Sequence, residues 1–237
     1  MISTETNYNK LKINFIKYLD QSKNIGNIFG GPSLHFHNRA LSERKIEFLG
    51  NTHLEMIYAT LTSWGMHRMG DTKTKMVDYK DFQKSILLNK NELINLRHLK
   101  IENIKKNEFM VLIKRLNEIC FDLIVSKSNS KIVGNSKTLA HILPDLIPPI
   151  DRQYTILFFQ KEPFNFIDKT GKLKQPTLKK IDENDYFNHI IEKTYDFVNF
   201  IKNNNLVKIQ QPFNTSYPKI FDNLIITYIR DIKKNGV

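Results

Sequence analysis

The sequence predicts a mainly α-helical fold, and three observations predict it. Apolar residues recur at intervals of three and four along several long segments. Glycine and proline punctuate the chain between those segments. The composition, 41% hydrophobic and 25% charged over 237 residues, supports a normal core without staples. Neither an internal repeat nor a low-complexity linker interrupts it. One α-helical domain spanning 1–237, in one or two lobes with a minor hairpin, is the simplest architecture.

The elements follow in order. Residues 7–20 place Leu11, Phe15, Ile16 and Leu19 on one side of a helix. Residues 21–44 read as a long loop, with Gly26, Gly30, Gly31 and Pro32 as breakers. A long helix is expected over 45–66, with Phe48, Leu49, Met56, Ile57 and Leu61 inward. Shorter helices are expected over 78–89 and 91–99. The clearest core helix is 107–126, where Phe109, Leu112, Ile113, Leu116, Ile119, Cys120, Leu123 and Ile124 keep helical spacing. A helix through Leu157 to Phe159 ends before Pro163, and 164–175 is a hairpin around Lys169-Thr170-Gly171 or a loop. Helices over 183–204 and 216–233 complete the chain, their Tyr and Phe residues reading as core.

The bulk properties narrow the function. A single cysteine, Cys120, excludes a disulfide framework within the chain and argues against a cysteine zinc site. It suits a reducing cytoplasm. Residues 1–20 lack a signal-peptide pattern, and no run of 18 apolar residues suggests a membrane span. The net charge of +12, from 36 Lys and Arg against 24 Asp and Glu, favours a polyanionic partner, most simply nucleic acid. Surface lysines that merely solvate the protein are the plainer explanation.

Residues 131–155, KIVGNSKTLAHILPDLIPPIDRQYT, carry the most chemistry. Gly134 and Asn135 tolerate positive φ, so a turn is expected from Val133 to Thr138, ahead of a helix from Leu139 to Leu143. Amides at that helix start can face a phosphate, with Lys131 and Lys137 adding charge. An ordinary helix–helix turn is the bland alternative. The rigid Ile147-Pro148-Pro149-Ile150 segment then fixes the direction of Asp151. Asp151 reads as the N-cap of the next helix, which leaves one oxygen for other work. Arg152 can pair with that acid or with phosphate.

Glycine turn, helix, apolar segment and Pro-Pro-apolar-Asp together resemble the helix-hairpin-helix DNA glycosylase superfamily. The resemblance implies a helix-hairpin-helix core at about residues 107–160. Gly134 matches the first hairpin glycine, and Asp151 matches the catalytic aspartate. Ser136 stands where the family has its second glycine, and Asp151 follows Lys137 by only 14 residues. Two registers are open. One places Lys137 at the Schiff-base lysine of bifunctional members, the other places Thr138 there. The second is favoured and implies a monofunctional enzyme. An iron–sulfur loop needs more cysteines than the chain has.

The amino-terminal half adds a second resemblance. GGPSLHFHNRAL (30–41) and IYATLTSWGMHRMG (57–70), followed by Lys73, Lys75 and Met76, are similar to a branch of that superfamily. It includes the α-glutamyl/putrescinyl-thymine pyrophosphorylase-like proteins and anti-phage glycosylases that excise α-glucosylated hydroxymethylcytosine. The resemblance implies a modified pyrimidine of phage DNA as substrate.

Other residues are weighed against that reading. His35 and His37 place two imidazoles on one side if the strand is extended, but no acid or cysteine lies at ligand spacing, so a substrate pocket is the better functional reading. Trp64, His67 and Arg68 share a helix face, as core or as the wall of a flipped-base pocket. Lys73 and Lys75 read as backbone contacts or a solvated loop. His141 is left open between a DNA contact and packing.

The expected activity is therefore hydrolysis of an N-glycosidic bond in double-stranded DNA. Asp151 and Lys137 are the candidate catalytic residues. His35, His37, Trp64, His67 and Arg68 form the pocket. Gly134, Asn135, Ser136, Lys137, Thr138, Lys131, Arg152, Lys73 and Lys75 hold DNA. No metal or organic cofactor enters this expectation. One alternative is a non-catalytic DNA-binding module. Another is an enzyme that forms hypermodified thymine from a base pyrophosphate, using a metal at Asp71, Asp78 and Asp81.

Overall fold

The computed structural model describes residues 5–25, 30–66, 75–161, 166–174, 176, 182–204 and 214–235. Helices dominate it. They are α1 (Glu5–Ile13), α2 (Phe15–Ser22), α3 (Pro32–Ile46), α4 (Asn51–Leu61), α5 (Tyr79–Leu88), α6 (Lys90–Leu96), α7 (Lys106–Asp122), α8 (Ile132–Ile142), α9 (Leu157–Gln160), α10 (Glu183–Asn203) and α11 (Tyr217–Asn235). Wide turns continue α4 through Thr62–Met66 and precede α9 at Arg152–Ile156. The only extended pairings among the described residues are two isolated bridges, Met76 with Ser126 and Ile167 with Leu173. The second closes the small hairpin, whose tip uses Gly171 at φ 73°. None of the described helices is long and apolar enough to cross a membrane.

Several boundaries differ from expectation, each for a local reason. The loop expected over 21–44 is largely α3. Gly31, at φ 66°, turns the chain into Pro32, and proline at the first helical position starts a helix rather than ending one. The helix expected over 45–66 breaks at residues 47–50, where Leu49 takes φ 61° and Gly50 begins α4. Asn14 separates α1 from α2, which turns Ile16 outward at 60% exposure and Tyr18 inward. Helix α7 stops at Asp122, so Ile124 is exposed while Leu123 stays buried.

The largest correction concerns Gly134. No turn lies between Val133 and Thr138. Residues 132–142 form one continuous helix, α8, in which every residue except Val133 is buried. It packs against α3, α4, α7 and α10. Gly134 is there for space. A β-carbon at this position would stand 3.2 Å from Met66 Cε and 3.3 Å from Val125 Cγ1. The terminal turn carrying Met66 can thus press directly on α8.

The apolar core is continuous from α1 to α11 and includes buried phenylalanines 15, 82, 109, 158, 159, 166, 187, 197 and 221. Phe109 stacks on Tyr195 with centroids 4.1 Å apart, joining α7 to α10. Cys120 is fully buried, and burial pushes its thiol above the ordinary range, which leaves it protonated. Helix α11 crosses α2, α10 and the turn at Arg152–Ile156.

The close approach at Gly134 makes a prediction. Gly134→Val forces the Met66 turn away from α8 and costs about 2 kcal/mol of stability. Chemical denaturation measures it, and an unchanged midpoint would mean that α8 and this turn are not tightly packed.

Candidate functional site: an aspartate–lysine pocket under Trp64

Three consecutive residues of α8 position the site. Asn135 Nδ2 donates to the carbonyls of Cys120 and Leu123, tying α8 to the end of α7. Ser136 Oγ accepts from Ile150 N at 3.1 Å, anchoring the segment that leads into Asp151. Lys137 Nζ donates to Asp151 Oδ2 at 2.7 Å. A helix spreads consecutive side chains about 100° apart, so one short stretch reaches both the end of α7 and the segment of Ile150 and Asp151. At the far end of α8, Arg44 Nε donates to the carbonyl of Ile142, fastening it to α3.

Asp151 divides its oxygens. Oδ1 accepts from Gln153 N at 2.7 Å and Tyr154 N at 3.3 Å, capping the turn at Arg152–Ile156. Oδ2 takes the Lys137 ammonium. Thr155 Oγ1 accepts from the backbone amide of Asp151. Burial opposes ionisation of this carboxyl, but the charge and hydrogen bond of Lys137, with the two amides, hold it below the usual carboxylate range. Its side chain keeps 30% of its surface exposed, against 8% for Lys137.

The pair lines a cavity of about 380 Å³, walled by Trp64, Tyr154, His37, Pro149 and residues of α11. That volume lies within the usual range for small-molecule sites, about 300–1,000 Å³. Trp64 stands on the turn after α4, which ends its helical path at Gly65, φ 80°. Lys137 Nζ lies 5.6 Å and Lys219 Nζ 5.7 Å from the indole centroid. Both are cation–π distances. Lys219 also donates to Asp222 Oδ2 at 2.6 Å, a second ion pair almost fully buried. Burial raises the Asp222 carboxyl, Lys219 opposes this, and the nearby Asp151 adds to the rise.

Behind Trp64 the histidines form a chain. His37 Nδ1 lies 2.9 Å from His141 Nε2, and His141 Nδ1 lies 2.7 Å from the carbonyl of Lys137. Burial pushes His141 down to about 4 and His37 well below its ordinary value. Both are neutral at pH 7. His53, beside α8, is likewise pushed by burial to about 4.

The structure brings Asp151, Lys137, His37 and Trp64 together. It does not bring His35, which is exposed on the opposite side of α3 because neighbours two apart on a helix diverge. His67, Arg68 and Lys73 lie outside the described residues, as does Asp71. The phosphate grip expected from Gly134, Asn135, Ser136 and Thr138 is corrected. All four are buried inside α8, and Thr138 donates to the carbonyl of Gly134. The amides of Lys131 and Ile132 at the start of that helix already donate to Glu183 Oε2 of α10. Lys131 itself is exposed and donates to the carbonyl of Phe121. Arg152 does not pair with Asp151 but donates to the carbonyl of Pro176. Lys75 is half-buried, with burial and the charges of Arg152 and Lys137 lowering its pKa, so it belongs to the same basic neighbourhood. Lys137 meets Asp151, whereas Thr138 turns back onto its own helix. Asp78 precedes α5 and Asp81 sits in its first turn, and no three His, Cys, Asp or Glu among the described residues could together hold a metal ion.

No protein-family model matches the chain, and no curated protein or solved structure is significantly similar to it.

Sequence reasoning missed Lys219, Asp222 and Tyr154. The first two had a legible signal. In YPKIFDNLII two opposite charges stand three apart on an otherwise apolar stripe, which marks a buried pair. A second cleft, about 680 Å³, adjoins the first at Tyr154 and is lined by Arg230, Lys233 and Lys234 near the end of α11.

The neutral histidines predict acid sensitivity. The unfolded chain takes up protons near 6.5, whereas His53 and His141 resist protonation down to about 4. The unfolded state therefore binds more protons in that window. The stabilisation is complete above it and is lost as pH falls, with a slope of about 1.4 kcal/mol per pH unit for each histidine. His141→Gln should flatten the pH dependence of the unfolding free energy by about that slope. Equal slopes in both proteins would mean that His141 is not buried in its neutral form.

Proposed function

We propose that this protein is a DNA glycosylase of helix-hairpin-helix type that removes a modified pyrimidine, with Asp151 as the catalytic carboxylate. The carrying observation is Asp151 itself. A helical-turn cap fixes one oxygen, a buried lysine holds the other, and the carboxylate stays ionised at the wall of an aromatic-lined cavity. Breaking an N-glycosidic bond leaves positive charge on the sugar, and a fixed anion stabilises that charge more than it stabilises the neutral ground state.

In this reading the target nucleotide leaves the duplex and enters the cavity beside Trp64 and Tyr154. The C1′–N bond breaks, and the base departs with the bonding pair and takes up a proton. Water adds at C1′ and gives its proton to Asp151, which passes it on to the departed base, and the product is an abasic site. The mainly helical fold and the Pro148-Pro149-Ile150-Asp151 approach favour the family reading. The buried start of α8 moves the phosphate contacts elsewhere, to Lys75 and Arg152 near the site and to the Arg230, Lys233 and Lys234 cleft. Phage DNA carrying hydroxymethylated or glucosylated bases is the proposed substrate, and antiviral defence in the cytoplasm the proposed role.

Base release from unmodified, hydroxymethylated and glucosylated duplexes tests this. Wild type should give alkali-labile abasic sites on a modified duplex, and Asp151→Asn should lose at least about a hundredfold in rate. DNA binding without base release on any of them, with both proteins alike, would make this a binding module instead. The pH profile adds a second check. Because Lys137 lowers the Asp151 pKa, Lys137→Met should move the acid limb of the rate profile upward. An unmoved limb would mean that Asp151 is not the group whose ionisation matters.

A further inference from the structure

The histidine chain behind Trp64 has a direction. The carbonyl of Lys137 can only accept, so the nitrogen facing it, His141 Nδ1, carries a hydrogen. A neutral imidazole has one hydrogen, which leaves His141 Nε2 as an acceptor. That nitrogen faces His37 Nδ1 at 2.9 Å, so His37 Nδ1 must donate. His37 Nε2 is then left with a lone pair and no hydrogen. This atom is buried and has no hydrogen-bond partner among the described residues, although His37 lines the cavity. His37 is 5% exposed. Leaving a buried nitrogen unpaired is unfavourable, and a ligand with the right complement removes that penalty.

We infer that His37 is a specificity-determining residue: its Nε2, closed off in the free protein, becomes an obligate acceptor for a ligand that seats against this wall of the cavity and carries an N–H or O–H donor at that edge. A pyrimidine bearing an exocyclic amino or hydroxymethyl group meets this requirement. The same ring stripped of its donors does not. Protonating His37 would turn the acceptor into a donor, but burial, His141 and Lys219 all oppose it. The ligand assignment rests on the proposed function, whereas the tautomer chain stands without it.

Two measurements test the inference without turnover. Long-range proton–nitrogen NMR of ¹⁵N-histidine protein at neutral pH should find His37 and His141 both as neutral Nδ1–H tautomers. A hydrogen on His37 Nε2 would overturn the proposal. Calorimetry should then show deoxycytidine or 5-hydroxymethyldeoxycytidine binding about tenfold or more tighter than the 2-pyrimidinone deoxynucleoside, which lacks the amino group. His37→Phe should abolish the preference, and His37→Gln, whose amide oxygen accepts, should restore part of it. Equal affinity for the nucleosides, or affinity for none, overturns the ligand assignment. Failure of the glycosylase reading would register differently, as absent base release with this selectivity intact.

Discussion

The Lys137–Asp151 ion pair is the interaction on which the rest of the arrangement depends. It joins the most enclosed of the described helices to the turn at Arg152–Ile156, which reaches both clefts. Two charges are costly to remove from water, and this pair answers the cost with short hydrogen bonds on the carboxylate and an indole beside the ammonium. A hydrophobic pair of similar volume would pack as well. What it would not supply is an anion with a fixed direction and one edge open to a cavity.

Helix α8 gains its central place through polar contacts as much as apolar ones. Asn135 binds the end of α7, Ser136 and Lys137 bind Ile150 and Asp151, Glu183 closes the beginning of α8, and Arg44 closes its end. Such a helix cannot rotate or slide without breaking several buried hydrogen bonds at once. The same rigidity carries outward to the histidines. The carbonyl of Lys137 orients His141, which orients His37, so a single residue serves the carboxylate through its side chain and the histidine chain through its backbone. The second pair, Lys219–Asp222, adds another buried cation beside Trp64 and an acid that favours its neutral form more than Asp151 does. Two carboxyls in one cavity with opposite tendencies are a familiar arrangement at sites of proton chemistry.

Much of this was legible in the sequence, and the failures have physical causes. Helical spacing located α7, α10 and α11 within a few residues, because long periodic stripes outweigh local preference. Pro148-Pro149 followed by an acid announced both the cap and the direction of Asp151. The segment from Gly134 to Thr138 was misread because glycine and asparagine tolerate a turn without requiring one. Here tertiary contacts decide, and the cap that lengthens α8 comes from Glu183, about 50 residues downstream. The loop expected over 21–44 failed for the opposite reason, since Gly31-Pro32 begins a helix as readily as it breaks one. His37 was identified as a pocket residue, but its partner could not be, because His141 lies 104 residues away.

The central claim is electrostatic: a lysine buried in α8 keeps Asp151 ionised at the cavity wall. Carbon-13 NMR titration of the Asp151 carboxyl, in wild type and in Lys137→Met, tests it most directly. The account predicts a wild-type pKa below the ordinary aspartate value of 3.8 and a clear rise when the lysine is removed, since burial then acts unopposed by it. A wild-type carboxyl that titrates at or above the ordinary value, unmoved by the substitution, would contradict it.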